Sequence, residues 1–112
     1  MPNARVIEIS QSGGPEVLVP ALRPIPTPAP GELVLKVQAA GINRPDVLQR
    51  RGLYAPPPGA SDLPGLEAAG TVYDVGAGVP PALIGQRLTA LCPGGGYAAY
   101  VAVPWRHALP WP

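Results

Sequence analysis

Proline and glycine divide this chain so finely that it can form only short elements of secondary structure. The 112 residues include 18 prolines and 14 glycines, and these fall between apolar stretches that alternate with polar residues. Short alternating segments bounded by turn residues are typical of β-strands. The stretch 23–32, RPIPTPAPGE, carries four prolines, so it predicts an extended connector at a sheet edge rather than a central strand.

Alternation predicts strands along most of the chain. The clearest is ELVLKVQAAG at 32–41, where Leu33, Leu35 and Val37 share one face and Val34 and Lys36 the other. Further predicted strand segments include ARVIEIS at 4–10, AAGTVYDVGAGV at 68–79, QRLTALC at 86–92 and GGGYAAYVAVP at 94–104. We expect six or seven short strands and one clear short helix, which indicates an antiparallel barrel or sandwich.

The helix is predicted directly after the clearest strand. Gly41 ends that strand, and Asn43 stands at the position of a helix cap. Pro45 falls in the first turn and Asp46 three residues after the cap. Gly52 can end the helix after two turns.

Composition excludes several classes of partner. Eight Lys and Arg against seven Asp and Glu give a net charge of +1, so no electrostatic argument favours nucleic acid or an acidic membrane surface. A neutral or weakly charged ligand fits better. No apolar run approaches the ~18 residues of a membrane span. The first residues lack the order of a secretory signal, and the lone Cys92 can close no intramolecular disulfide, so we expect a soluble, cytoplasmic protein.

Motifs for nucleotides, metals and nucleophiles are weak. VGAGVPP at 75–81 begins like a dinucleotide motif, but Pro80 and Pro81 replace the turn into a helix, so a strand-connecting turn is expected. One His and one Cys are too few for zinc. Cys92 lies in an apolar run and is expected to be a buried structural thiol. His107 is expected at the surface or at an interface.

Four residues remain as candidates for chemistry, and each has a structural alternative. Asn43 can serve as a helix cap and Asp46 as a partner of the helix dipole. Tyr54 can pack under its proline-rich loop, and Glu67 can pair with Arg50 or Arg51. It is the joint arrangement of Asn43, Asp46, Tyr54 and Glu67 that points to a site.

Most of the chain resembles a known family. The stretches SGGPEVL, PGELVLKVQAAGINRPDVLQRRGLYAPPPGASDLPGLEAAG and IGQRLTALCPGGGYAAYVAVP are similar to the N-terminal part of the medium-chain dehydrogenase/reductase superfamily, within it to the zinc-free quinone oxidoreductase branch. The resemblance implies a mainly β, GroES-like partly open β-barrel with one or two short helices over residues 1–112. It also implies that the Rossmann domain forming the opposite wall of the active cleft is absent from this chain.

The same resemblance implies the chemistry. Zinc-dependent members carry a Cys at the place of Asn43 and a His at that of Leu66, so no metal is expected here. It implies an NADPH-dependent quinone reductase in which Asn43 and Tyr54 are catalytic, Asn43 offering an amide donor. Tyr54 would also stack on the substrate, and Asn43 and Asp46 would lie at the cofactor.

The resemblance further implies how the domain works in the whole protein. NADPH would be bound mainly by the absent Rossmann domain, so the 112 residues alone are expected to be inactive. The substrate would be a quinone or another small conjugated carbonyl. We expect a homodimer at full length, and neither nucleic acid nor a membrane as partner.

Two other functions stay open at this point. One is a free-standing barrel that acts as a binding or assembly module without redox chemistry. It predicts a polar, closed surface, whereas half of an enzyme predicts an exposed apolar face of about 600–1,500 Å². The other is an enone or alkenal reductase of the same superfamily, which would reduce an activated C=C bond.

Overall fold

The chain folds into two antiparallel sheets and one helix. The computed structural model describes residues 3–53, 55–56, 60–92 and 94–110. The regular elements of these ranges are β1 (Asn3–Ile9), β2 (Leu18–Pro24), β3 (Glu32–Ala40), α1 (Arg44–Arg50), β4 (Glu67–Val75), β5 (Arg87–Leu91), β6 (Tyr100–Pro104) and β7 (Ala108–Pro110). Short 3₁₀ turns occupy Pro15–Val17, Pro81–Leu83 and Trp105–His107. The prediction of a mainly β fold with one clear short helix is confirmed.

The larger sheet has five strands in the order β6-β3-β4-β5-β7, and the smaller one pairs β1 with β2. A bridge between Val6 and Ala98 joins the two sheets. Two backbone hydrogen bonds extend it, from the Ile7 N–H to the Tyr97 carbonyl and from the Ala99 N–H to the Arg5 carbonyl, each 2.8 Å long. Neither sheet closes on itself, so the barrel is partly open, as predicted.

The core is centred on β3. Leu33 and Leu35 are fully buried and lie opposite Val103 and Val101 of β6 in the strand register. Val72 of β4 belongs to the same buried cluster. Burying one such side chain is worth about 1.5–3 kcal/mol, so β3 carries much of the stability. Its C-terminal end, where α1 follows, is held by the pairing of Ala39 and Ala40 with β4.

Helix α1 begins and ends as the sequence predicts. Asn43 is its N-cap in an extended conformation, Pro45 lies in the first turn, and the Asp46 Oδ2 accepts a hydrogen bond of 3.1 Å from the Asn43 N–H. Arg51 follows the last helical residue, and Gly52 then has a positive φ of 78°. The cap therefore fixes Asn43 at the junction of β3 and α1.

Three parts of the chain differ from the predicted pattern. Strand β2 includes Pro20, in a stretch for which the pattern predicts no strand, and it pairs with β1. Strand β7, which the pattern also does not predict, pairs with β5. Of the predicted strand at 94–104 only Tyr100–Pro104 is regular, because the glycines at 94–96 pack closely against neighbouring loops instead. Within the described ranges, no helix has the length and apolarity needed to cross a bilayer.

Candidate functional site

A buried carboxylate connects three separate segments at the start of α1. Asp46 is 5% exposed. Its Oδ2 accepts hydrogen bonds of 3.1 Å from the Asn43 N–H and from the Tyr97 hydroxyl, and its Oδ1 accepts one of 3.0 Å from the Gly65 N–H. Asp46 therefore fixes the helix start against the loop that precedes β4 and against the segment that precedes β6.

The tyrosine on this carboxylate is a neutral donor. Burial raises the pKa of the Tyr97 hydroxyl to about 12, and the nearby charge of Asp46 and the hydrogen bond to it act in the same direction. A phenol with this pKa keeps its proton at neutral pH and donates it to the carboxylate. The Asp46–Tyr97 contact is thus a charge-assisted hydrogen bond.

Backbone hydrogen bonds bring the ends of β3, β4 and β5 to the same place. The Gly41 N–H donates to the Glu67 carbonyl at 3.3 Å, and the Cys92 N–H donates to the Leu66 carbonyl at 2.7 Å. Glu67 also lies opposite Leu91 in the strand register. Since Asp46 binds both Asn43 and Gly65, three of the four predicted site residues, Asn43, Asp46 and Glu67, lie in one region of the fold.

Two open concavities flank this region and share Ala39 and Ala40. One, of about 480 Å³, is further lined by Gly41, Glu67, Leu91 and His107. The other, of about 510 Å³, is further lined by Ile42, Asp46, Arg50 and Tyr97. Asn43 is half-buried and lines neither of them, although its neighbours Gly41 and Ile42 line one each. The two concavities therefore meet at Gly41 and Ile42, directly before Asn43 in the chain.

Large apolar side chains are exposed around the same region. Ile42, Leu91 and Leu109 are between 66% and 80% exposed. Ile42 precedes Asn43 in the chain, and Leu91 and Leu109 line the first concavity. A group of exposed large apolar residues commonly marks a contact surface or a ligand groove.

The remaining predicted residues have different outcomes. Tyr54 lies outside the described residues, so its place beside Asn43 stays a prediction. Glu67 forms no ion pair with any residue that the structure describes, so the alternative in which it pairs with Arg50 or Arg51 is wrong there. Its carboxylate lies over Gly41, where even a methyl group would overlap it. His107 is exposed, as predicted.

Cys92 is buried and free, as expected of a structural thiol. Burial raises its pKa to about 11, and the charge of Glu67 adds to the shift. The thiol is therefore protonated at neutral pH and is a weak nucleophile.

Sequence reasoning missed Tyr97 and Gly65, which complete the hydrogen bonds of Asp46. Tyr97 is 51 positions away from Asp46, and no local pattern connects two residues so distant in sequence. Gly65 has a φ of 107°, and a Cβ there would come within 2.5 Å of the Tyr97 backbone nitrogen. A glycine that follows a proline just before a strand is the one local signal that points to this position.

The described residues offer no binding place for dinucleotide phosphates in the glycine-rich segment. Residues 75–81 leave β4 through a turn and enter the 3₁₀ turn Pro81–Leu83. A dinucleotide motif needs a tight turn from a strand into a helix, whose N-terminus holds the pyrophosphate. In the described ranges, no group of three or more His, Cys, Asp or Glu side chains is placed to hold a metal ion.

Comparison with known proteins gives a consistent family. Residues 29–112 match the alcohol dehydrogenase GroES-like domain. The chain is 41% identical over 100 residues to a probable quinone oxidoreductase of Schizosaccharomyces pombe, a match that covers 88% of this chain and 30% of that protein.

Solved structures share the fold along nearly the whole chain. The human synaptic vesicle membrane protein VAT-1 homolog-like protein superposes with a TM-score of 0.89 at 30% identity, over 99% of this chain and 36% of the other. A mycobacterial protein in complex with NADPH superposes with a TM-score of 0.80 at 32% identity, over 97% of this chain and 32% of the other. The chain thus spans about a third of the length of the proteins it matches.

Proposed function

Because this chain belongs to the alcohol dehydrogenase GroES-like domain family, we propose that residues 1–112 are one domain. We further propose that this domain supplies the substrate-side wall of an NAD(P)H-dependent quinone oxidoreductase. The match to a quinone oxidoreductase supports the reaction class. The mycobacterial relative in complex with NADPH supports the cofactor. Because the relatives are about three times as long, the activity is proposed for the full-length protein and the domain alone is expected to be inactive.

The observation that carries the proposal is the convergence of Asn43 and the Gly65–Leu66 loop on Asp46. By the resemblance, Asn43 and Leu66 stand where zinc-dependent members have a Cys and a His. An amide and an isobutyl side chain are not the thiolate and imidazole ligands that zinc prefers. The site is therefore suited to a reaction in which hydrogen-bond donors, and not a metal, stabilise the charge that develops on a carbonyl oxygen.

The domain's own residues would bind and orient the quinone. A reduced nicotinamide, when bound, supplies the hydride. The Asn43 amide would donate a hydrogen bond to the quinone oxygen that gains charge, and Tyr54 would stack on the quinone ring. The exposed side chains of Ile42 and Leu91 would keep water away once the rest of the protein covers them.

The cofactor would be bound mainly by the rest of the protein, since residues 75–81 form no phosphate-binding turn. The predicted contact of Asn43 and Asp46 with the cofactor stays a proposal. Both Asp46 oxygens already accept hydrogen bonds from within the fold, so its part would be to hold Asn43 in place.

The test is steady-state kinetics of the full-length protein with NADPH and a benzoquinone. Loss of one oxyanion donor typically costs about a hundredfold or more in kcat, so Asn43→Ala should lower kcat by about that factor. Asn3→Ala, at an exposed asparagine on the edge strand β1, is the matched control and should change nothing. An Asn43→Ala variant with the activity of the control would refute the role of Asn43.

Substrate and assembly are tested with the same protein. Faster reduction of alkenals than of quinones would replace the proposal with an enone reductase, and no reduction of either would favour a binding module. We expect a homodimer by light scattering, without affinity for nucleic acid or membranes.

A further inference from the structure

We infer that Tyr97 is a positioning residue for Asn43 and that it acts through Asp46; this inference rests on the proposed function. The Tyr97 hydroxyl and the Asn43 N–H donate to the same oxygen, Asp46 Oδ2, each at 3.1 Å. Tyr97 lines the second concavity together with Asp46. Among the described residues, it is the one side chain that donates a hydrogen bond to this carboxylate; the other two donors are backbone N–H groups.

The backbone of Tyr97 is held independently of its hydroxyl. Its N–H donates to the Pro64 carbonyl at 3.1 Å, and its carbonyl accepts from the Ile7 N–H at 2.8 Å. The preceding Gly96 N–H donates to the Gly65 carbonyl at 3.0 Å. Removing the hydroxyl should therefore leave the backbone of this segment in place and change the hydrogen bonding of Asp46 alone.

The hydroxyl restrains the orientation of the carboxylate. Without it, Asp46 keeps two backbone donors, from Asn43 and Gly65, which belong to the two segments that it joins. The Tyr97 donor comes from a third segment, which is itself bonded to β1 and to the loop before β4. Loss of the third donor should leave the carboxylate less restrained, and with it the Asn43 end of α1.

The structural arm of the test is amide hydrogen exchange in the 112-residue chain. Tyr97→Phe should speed exchange of the Asn43 and Gly65 N–H groups by about tenfold, because their acceptor is less ordered. Tyr73→Phe is the matched control. Tyr73 is half-exposed, packs its ring edge against Tyr100, and its hydroxyl has no hydrogen-bond partner among the described residues. Equal exchange in both variants would overturn the inference.

The kinetic arm uses the full-length protein. Tyr97→Phe should lower kcat for quinone reduction by about tenfold, because small misplacements of a catalytic group are costly. The KM for the quinone and for NADPH should stay within about twofold. In an Asn43→Ala background, Tyr97→Phe should cause no further loss, since residues that act through one another are not additive.

The two arms separate this inference from the proposed function. Losses that multiply in the double variant would show a general structural role for Tyr97 and overturn the inference. If the full-length protein reduces no quinone, the proposed function fails, and the claim that Tyr97 holds Asn43 is then decided by hydrogen exchange alone.

Discussion

Replacing Asp46 by asparagine should destabilise the domain strongly, although the two side chains have nearly the same shape. The substitution removes the charge and turns one acceptor into a donor. Asp46 accepts three hydrogen bonds, two of them on Oδ2. Whichever way the amide turns, its NH₂ group faces at least one N–H or O–H donor that then has no acceptor.

The magnitude follows from these contacts. An unpaired buried donor costs about 1–3 kcal/mol, and the loss of charge assistance weakens the remaining bonds. We therefore expect Asp46→Asn to lower the free energy of unfolding by about 3 kcal/mol. A domain of this size has roughly 5–15 kcal/mol in total, so the loss is a large fraction of it.

The assay is urea unfolding of the 112-residue chain followed by tryptophan fluorescence. With an m-value of about 2 kcal/mol/M, the midpoint should fall by about 1.5 M. Asp74→Asn is the matched control, because Asp74 is exposed and its side chain accepts only the Val75 N–H among the described residues. The control should change stability by less than about 0.5 kcal/mol. An Asp46→Asn midpoint equal to that of the control would refute the role of Asp46 in joining the three segments.

Three further outcomes are expected. Gly65→Ala should lower the free energy of unfolding in denaturant clearly more than Gly78→Ala. Both glycines have a positive φ, which costs an alanine about 1–2 kcal/mol. A Cβ at Gly65 also meets backbone atoms, whereas a Cβ at Gly78 meets open space. Equal losses would contradict the close packing. Cys92, whose pKa burial raises to about 11, should be alkylated in the native chain at pH 8 at least about tenfold more slowly than in urea; similar rates would show an accessible thiol. The Tyr97 pKa is raised from 10 to about 12, so the folded state keeps a proton that the unfolded state loses, and stability should fall between pH 10 and 12. This decrease in stability should be smaller in Tyr97→Phe. Identical profiles of the unfolding midpoint against pH in the two proteins would contradict the raised pKa.

Local sequence patterns were sufficient for the elements around the site. The alternation from Leu33 to Val37 predicts β3, and the spacing of Asn43, Pro45 and Asp46 predicts the start of α1. Both signals come from residues that are close together in the sequence. They therefore do not depend on how the rest of the chain folds. The resemblance supplied the fold class, which the structure confirms.

Long-range contacts were not predictable in the same way. Strand β2 contains Pro20 and ends at Pro24, which falls in the predicted connector, and only its pairing with β1 makes it a strand. Asp46 accepts hydrogen bonds from Gly65 and Tyr97, which lie 19 and 51 positions further along the chain. Only the tertiary fold brings these segments together. No pattern in the residues next to Asp46 indicates either of these partners.

The prolines of β2 also limit how this domain can polymerise. Pro20 and Pro24 are separated by an even number of positions, so their missing N–H groups fall on one edge of the strand. Prolines are tolerated in strands where that edge faces away from the neighbouring strand, which here is β1. An incoming strand would find two donors missing there, which disfavours fibril-like growth along this edge of β2. A contact made by side chains, as at the surface around Ile42 and Leu91, does not need these donors.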